Sequence, residues 1–160
     1  MTRTLLILLI GLASLSCQDE GGPDPGDSRG DTRRPASLEA IAATPWVLTH
    51  FAEGDPAPAQ PAITLQLGEG RLSGSSGCNR YTAAVESGAE VGSLLVGPIA
   101  GTRMACPAPI DALERRYLEA LEGVKRFERD ADRLTLHWER EGDSGSLVYA
   151  PGASQPGAPH

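Results

Sequence analysis

Ile63-Thr64-Leu65-Gln66-Leu67-Gly68-Glu69-Gly70-Arg71-Leu72-Ser73-Gly74-Ser75-Ser76-Gly77-Cys78-Asn79-Arg80-Tyr81 is the stretch whose reading decides the fold. Ile63, Leu65 and Leu67 alternate with polar residues, the period-two pattern of a strand with one buried face. Gly68-Glu69-Gly70 then supplies residues that tolerate a tight turn, and Arg71 to Ser75 reads as the returning strand of a hairpin. Gly74-Ser75-Ser76-Gly77 invites a bulge or a sharp bend. The chain here folds back on itself locally, which makes an antiparallel sheet.

The same pattern continues on both sides. Upstream, Pro45 precedes Trp46-Val47-Leu48-Thr49-His50, a β-prone run with Trp46 and Leu48 on one face, and the Pro- and Ala-rich stretch 52–62 reads as a loop. Downstream, strands are expected over Tyr81 to Glu86, with a turn near Ser87-Gly88, and over Leu94 to Val96, closed by Gly97-Pro98. One segment changes period. Ile110, Leu113, Tyr117, Leu118, Leu121 and Val124 fall on one face of an α-helix. Pro107 and Pro109 suit its first turn, Asp111 and Glu114 suit its positive end, and Gly123 suits a C′ stop. Strands then resume over Val124 to Arg129, Leu134 to Trp138 and Ser146 to Ala150, with turns at 130–132 and Gly142-Asp143. Several strands, one helix and three strands predict an α+β fold, mainly antiparallel and curled into a small barrel or half-barrel.

All seven aromatic side chains lie between Trp46 and Tyr149, which puts the packed domain at 38–150. A domain of that size buries about two thirds of its unfolded surface and folds without a metal. The formal charge of −7 makes nucleic acid a poor partner. Trp46 and Trp138 are expected in the core, and His50 and His137 are expected to face outward. No Gly-x-Ser-x-Gly, His-Glu-x-x-His or phosphate-cradling loop is present, so no enzyme is expected, and no cofactor or metal is expected either.

Residues 1–16 read as a signal peptide: Arg3 is a short positive region, Leu5 to Leu15 form an apolar run too short to span a bilayer, and small residues follow. Leu12-Ala13-Ser14-Leu15-Ser16-Cys17 resembles the lipobox of bacterial lipoproteins, with acylation expected at Cys17. Ser14 sits where a leucine is usual, and Ser14 and Ser16 also satisfy the rule for an ordinary secretory cut at the same bond. Residues 18–37 hold no large apolar side chain, so 17–37 is expected to be a disordered tether with a reach of roughly 25 Å, and 151–160 a disordered tail. Gln18, next to the acylated cysteine, favours the outer membrane over the inner by resemblance to enterobacterial lipoproteins.

With Cys17 set aside, Cys78 and Cys106 remain. They lack the paired short spacing of a zinc site, and in an exported protein a disulfide is the economical reading, with two buried thiols as the alternative. Their surroundings carry a resemblance. Gly74-Ser75-Ser76-Gly77-Cys78-Asn79-Arg80-Tyr81 resembles the G-x-x-G-C-N-x-Y signature of the META/HslJ domain family, and the Thr102-Arg103-Met104-Ala105-Cys106 core of residues 97–106 resembles its second signature. A tryptophan strand before these motifs, an E-x-x-[YF]-L helix at Glu114, Tyr117 and Leu118, and an L-x-L strand at Leu134 and Leu136 follow the family's order over about 40–150. One departure is visible: Thr82-Ala83-Ala84 follows Tyr81 where many members have a glycine.

The resemblance implies a small antiparallel barrel or half-barrel with one helix. It also implies a family without a defining enzymatic activity, which includes a heat-inducible envelope lipoprotein linked to novobiocin resistance and proteins linked to virulence in protozoan parasites. Similar shapes occur in lipoproteins that pilot secretins. The function expected is that of a monomeric, lipid-anchored envelope protein that supports stress tolerance by binding another envelope protein. A small-molecule or lipid binder using the barrel interior, and a pilotin-like chaperone of an outer-membrane complex, are the alternatives. Asn79, Arg80, Thr102 and Arg103 are the candidate interaction surface, with the arginines offering donors to an anionic or carbonyl group. The competing reading is that Asn79 and Thr102 satisfy backbone groups in irregular turns.

Overall fold

The computed structural model describes residues 37–130 and 132–152. The expectations for the signal peptide, Cys17, the tether up to residue 36, the tail from 153 and the turn residue Ala131 lie outside them. Strands β1 (Trp46–Ala52), β3 (Thr64–Gly68), β4 (Arg71–Ser75), β5 (Arg80–Ser87), β6 (Leu94–Val96), β8 (Val124–Asp130), β9 (Arg133–Arg140) and β10 (Asp143–Pro151) form one antiparallel sheet in the order β6-β5-β4-β3-β1-β10-β9-β8. Two short strands hang on it: β2 (Asp55–Pro56) beside β1, and β7 (Ala100–Gly101) beside β5. The ends of the sheet meet where Ser93 bridges Arg126 and the Phe127 N–H donates to the Gly92 carbonyl at 2.8 Å. The result is a small, nearly closed α+β barrel.

Turn chemistry sets the registers. The β3–β4 and β9–β10 hairpins both turn on a Glu-Gly pair with positive φ, Glu69-Gly70 at 50° and 72° and Glu141-Gly142 at 52° and 93°. Such two-residue turns match the twist of antiparallel strands. The second turn therefore lies one residue before the expected Gly142-Asp143, and β10 begins at Asp143 rather than Ser146. It also runs past Ala150: Pro151 pairs with Trp46, and the Gly152 N–H donates to the Pro45 carbonyl. In β1 an irregularity between Leu48 and His50 shifts the alternation, so Phe51 joins Trp46 and Leu48 inside.

Helix α2 (Ala108–Glu122) occupies the expected segment, with Pro107 at the N-cap. Gly123 ends it differently from expectation. Its φ is −81°, so no left-handed residue is needed. The requirement is space, because a Cβ there would lie 3.1 Å from the Glu139 carbonyl. Val124, which the spacing put on the helix face and also at the start of the next strand, opens β8 (Val124–Asp130). A second helix, α1 (Leu38–Ala42), was not expected. It exists because it caps the barrel: Ile41 is fully buried, and its carbonyl accepts the Trp46 Nε1–H at 3.0 Å. The interior is filled by large side chains, among them Trp46, Tyr117, Tyr149, Leu65, Leu134 and Leu147. Trp138, expected in the core, is only half-buried at one end of β9.

Candidate functional site

The two cysteine-bearing loops are tied together beside the first half of α2. Gly74 lies against β3 so closely that a Cβ would run into the Thr64 carbonyl. Gly77, at φ 107°, then turns the chain in a conformation that suits glycine. These two glycines bring Ser76, Cys78 and Asn79 under the helix. Cys78 is joined to Cys106 by a disulfide with the Cα atoms 6.3 Å apart, the economical reading of the two, rather than two buried thiols.

Glu114 and Asn79 are the centre of this junction. Glu114 Oε2 accepts the Asn79 backbone N–H at 2.8 Å, and Oε1 accepts the Asn79 Nδ2–H at 2.9 Å. Ser76 Oγ, fully buried, lies 2.8 Å from Glu114 Oε2 and 2.8 Å from the Asn79 carbonyl, so its one proton is offered to two acceptors. Burial alone raises the Glu114 pKa, but hydrogen bonds from the Asn79 side chain, the Asn79 and Cys78 backbones and Ser76 outweigh it, and the net effect is a lowered value. On its other side, Asn79 Oδ1 accepts the Thr102 hydroxyl and the Met104 N–H, both at 2.8 Å. The Asn79 amide thus has donors facing a carboxylate and its oxygen facing donors. Thr102 Oγ1 also accepts the Arg80 N–H at 3.1 Å.

The four residues singled out from sequence are therefore brought together and then divided. Asn79 is 6% exposed with its side chain engaged on both sides, so it holds the loops and does not face a partner. The Thr102 hydroxyl is likewise committed. Arg80 and Arg103 are exposed, and Met104 beside them is 59% exposed. The loop that carries Arg103 and Met104 is held by the disulfide, by Asn79 and by the pairing of Ala100-Gly101 with Thr82-Tyr81.

Behind this junction three tyrosine hydroxyls meet inside the barrel. Tyr81 Oη donates to the Thr64 carbonyl at 3.0 Å, lies 2.7 Å from Tyr117 Oη, and Tyr149 Oη donates to Tyr117 Oη at 3.2 Å. Each hydroxyl has one proton, so the donors run in one direction, from Tyr149 to Tyr117 to Tyr81 to Thr64. Burial is the first cause that pushes all three pKa values well above the ordinary tyrosine range. Such groups hold their protons and serve as structural links. His50 and His137 are half-buried on their strands. His50 Nδ1 is 3.1 Å from Thr49 Oγ1, and His137 Nε2 is 3.5 Å from Glu128. Among the described residues no cluster of three or more His, Cys, Asp or Glu side chains could hold a metal ion.

Sequence reading missed Glu114 as the anchor of the junction and missed the tyrosine chain. The signal was present in the E-x-x-Y spacing, which puts Glu114 and Tyr117 one helical turn apart on a shared face.

The comparisons with known proteins agree with this geometry. The model of the META domain family matches residues 39–149. The chain is similar to a solved NMR structure of a protein from Burkholderia xenovorans, with 30% identity, a TM-score of 0.55, and coverage of 82% of this chain and 97% of that one. It is also similar to a second protein solved by NMR, with 25% identity, a TM-score of 0.57, and coverage of 72% and 95%. No curated protein matches the chain.

Proposed function

The chain belongs to the META domain family, and from that premise we propose that it is a non-enzymatic envelope lipoprotein, anchored through Cys17, whose domain binds another envelope protein. The observation that carries this reading is the exposed trio of Arg80, at the start of β5, and Arg103 and Met104, on a loop tied down by the disulfide and Asn79. Arginine and methionine are enriched in protein interfaces, and a loop held rigid loses little freedom when it binds. On a chain of net charge −7, two adjacent exposed arginines also favour a partner with an acidic or carbonyl-rich surface. Support of the envelope under stress, and an outer-membrane position facing the periplasm, belong to the same proposal. The position is drawn from the lipobox-like segment and Gln18, and the stress role from the resemblance to the family.

The packed interior weighs against the alternative of a lipid or small molecule inside the barrel, because aromatic and leucine side chains occupy that space. A pilotin-like role would be one form of the partner binding proposed here. In-cell cross-linking of the full-length chain, followed by mass spectrometry, tests the reading. A dominant envelope partner is expected, captured by the native chain and lost in the Arg103→Glu, Met104→Ala variant. Capture unchanged by that variant moves the interface elsewhere, and co-purifying lipid without a protein partner favours the binder. The intact mass of the processed protein tests the anchor: acyl mass on Cys17 is expected, and a bare processed chain in the soluble fraction removes it.

A further inference from the structure

Along the second half of α2 the chemistry differs. Between that helix and the β9–β10 hairpin lies an open cleft of about 430 Å³, with Phe51 and Trp138 among its walls. Its two cations already have partners within the chain. The Arg116 guanidinium lies 4.0 Å from the centre of the Phe51 ring and pairs with Asp55. Arg140 reaches Glu122 at 3.5 Å and Glu141 at 3.9 Å. Glu119 and Asp143, also lining the cleft, make no ion pair among the described residues, and no described cation stacks on Trp138. Trp138 faces Gly145 across the sheet, and a Cβ on that glycine would come within 2.7 Å of the indole. The pyrrole side of the ring is thus laid on the strand, its Nε1 is buried without a hydrogen-bond partner among the described residues, and the half-buried ring borders the cleft.

We propose that this cleft binds an organic cation, an ammonium or guanidinium group on an aliphatic stem, stacked on Trp138 and neutralised by Glu119 and Asp143. Indole has the ring face most attractive to a cation. Carboxylates outnumber cations in the lining, so an anionic ligand would meet net repulsion, whereas the apolar walls suit a carbon stem. The chain holds one cation this way already, since Arg116 combines an aromatic face with a carboxylate on the neighbouring wall. A bare metal ion fits less well, because the described acidic residues form no ligand cluster. The cation has two sources with the same chemistry: a free polyamine, or a lysine or arginine side chain displayed on a polypeptide.

The indole N–H resonances of the full-length chain read the site directly. Spermidine and N-acetyl-lysine methylamide are titrated separately at matched ionic strength. The expected result is a saturable shift of the Trp138 signal by at least one of them. The Trp46 signal should stay still, because its Nε1–H is buried and bonded to the Ile41 carbonyl. Response to spermidine alone identifies a free polyamine, and response to the lysine probe identifies a displayed side chain. Removing both carboxylates with Glu119→Gln and Asp143→Asn, two exposed positions, should weaken binding about tenfold. The proposal is overturned if neither probe moves Trp138, or if the double variant binds as tightly as the native chain.

Discussion

The two halves of helix α2 handle charge in opposite ways. Near its start, Glu114 accepts hydrogen bonds from a buried asparagine, a buried serine and two backbone N–H groups. Near its end, Glu119 and the neighbouring Asp143 have no ion-pair partner among the described residues and border a cleft with an aromatic wall. A polar group that is fully satisfied by its own chain contributes to the fold, whereas one left unpaired at a concave surface is available to something else. The difference sorts the polar residues of this domain more reliably than their chemical type does.

The largest test of the saturated half removes its covalent tie. The disulfide closes 28 residues, and in the chain-entropy account the Cys78→Ala, Cys106→Ala variant should lose roughly 3–4 kcal/mol. Urea unfolding with and without reductant measures it. A loss below about 1 kcal/mol would mean that the hydrogen bonds around Asn79 hold the loops alone. Asn79→Ala should come next, at about 2–3 kcal/mol, because it strands the Met104 N–H and the Thr102 hydroxyl and removes one of the donors to Glu114.

The tyrosine chain gives a finer test, since its direction predicts an asymmetry. Tyr117→Phe removes the middle link and leaves the Tyr149 proton without an acceptor inside the barrel, at a cost of about 2 kcal/mol. Tyr149→Phe removes only the first donor and should cost about 1 kcal/mol or less. Equal losses in thermal unfolding would overturn the assigned direction.

How much of this was legible beforehand follows from the range of the interactions involved. Strand alternation and the period of α2 are local, so Ile63, Leu65, Leu67 and the tyrosine on the helix could be placed inside from spacing alone. The two motifs gave the junction its cysteines and its asparagine. They did not reveal that Asn79 faces Glu114, because that contact joins residues 35 apart and depends on how the helix packs. Helix α1 was invisible for the same reason: its purpose is the cap on Trp46, and five residues have no helical signal of their own. Phe51 and Trp138 were misjudged or unplaced because an irregularity in β1 and the end of the barrel decide their exposure.

Acid titration sharpens the comparison at the start of the helix. The Glu114 pKa is lowered in the folded state, so its contribution is complete above the unfolded value and disappears as pH falls through the folded one. Stability measured from neutral pH downward should therefore fall as that carboxylate is protonated. Glu114→Gln should cost about 1–2 kcal/mol at neutral pH and show a shallower fall in acid. An unchanged acid slope would break the assignment of Glu114 as the anchor.

The smallest expected effect is the most discriminating. Glu119→Gln and Asp143→Asn remove charge from the same helix and its neighbour, yet neither carboxylate gives up an ion pair seen among the described residues. Each should change stability by no more than about 0.5 kcal/mol, and neutralising Glu119 beside Glu141 and Asp143 should raise it slightly. Glu114→Gln and Glu119→Gln are the same chemical change five residues apart, so any difference between them comes from the surroundings alone. A destabilisation by Glu119→Gln as large as that by Glu114→Gln would mean that Glu119 too is spent on the fold. The cleft would then lose one of the two charges proposed to hold a cation.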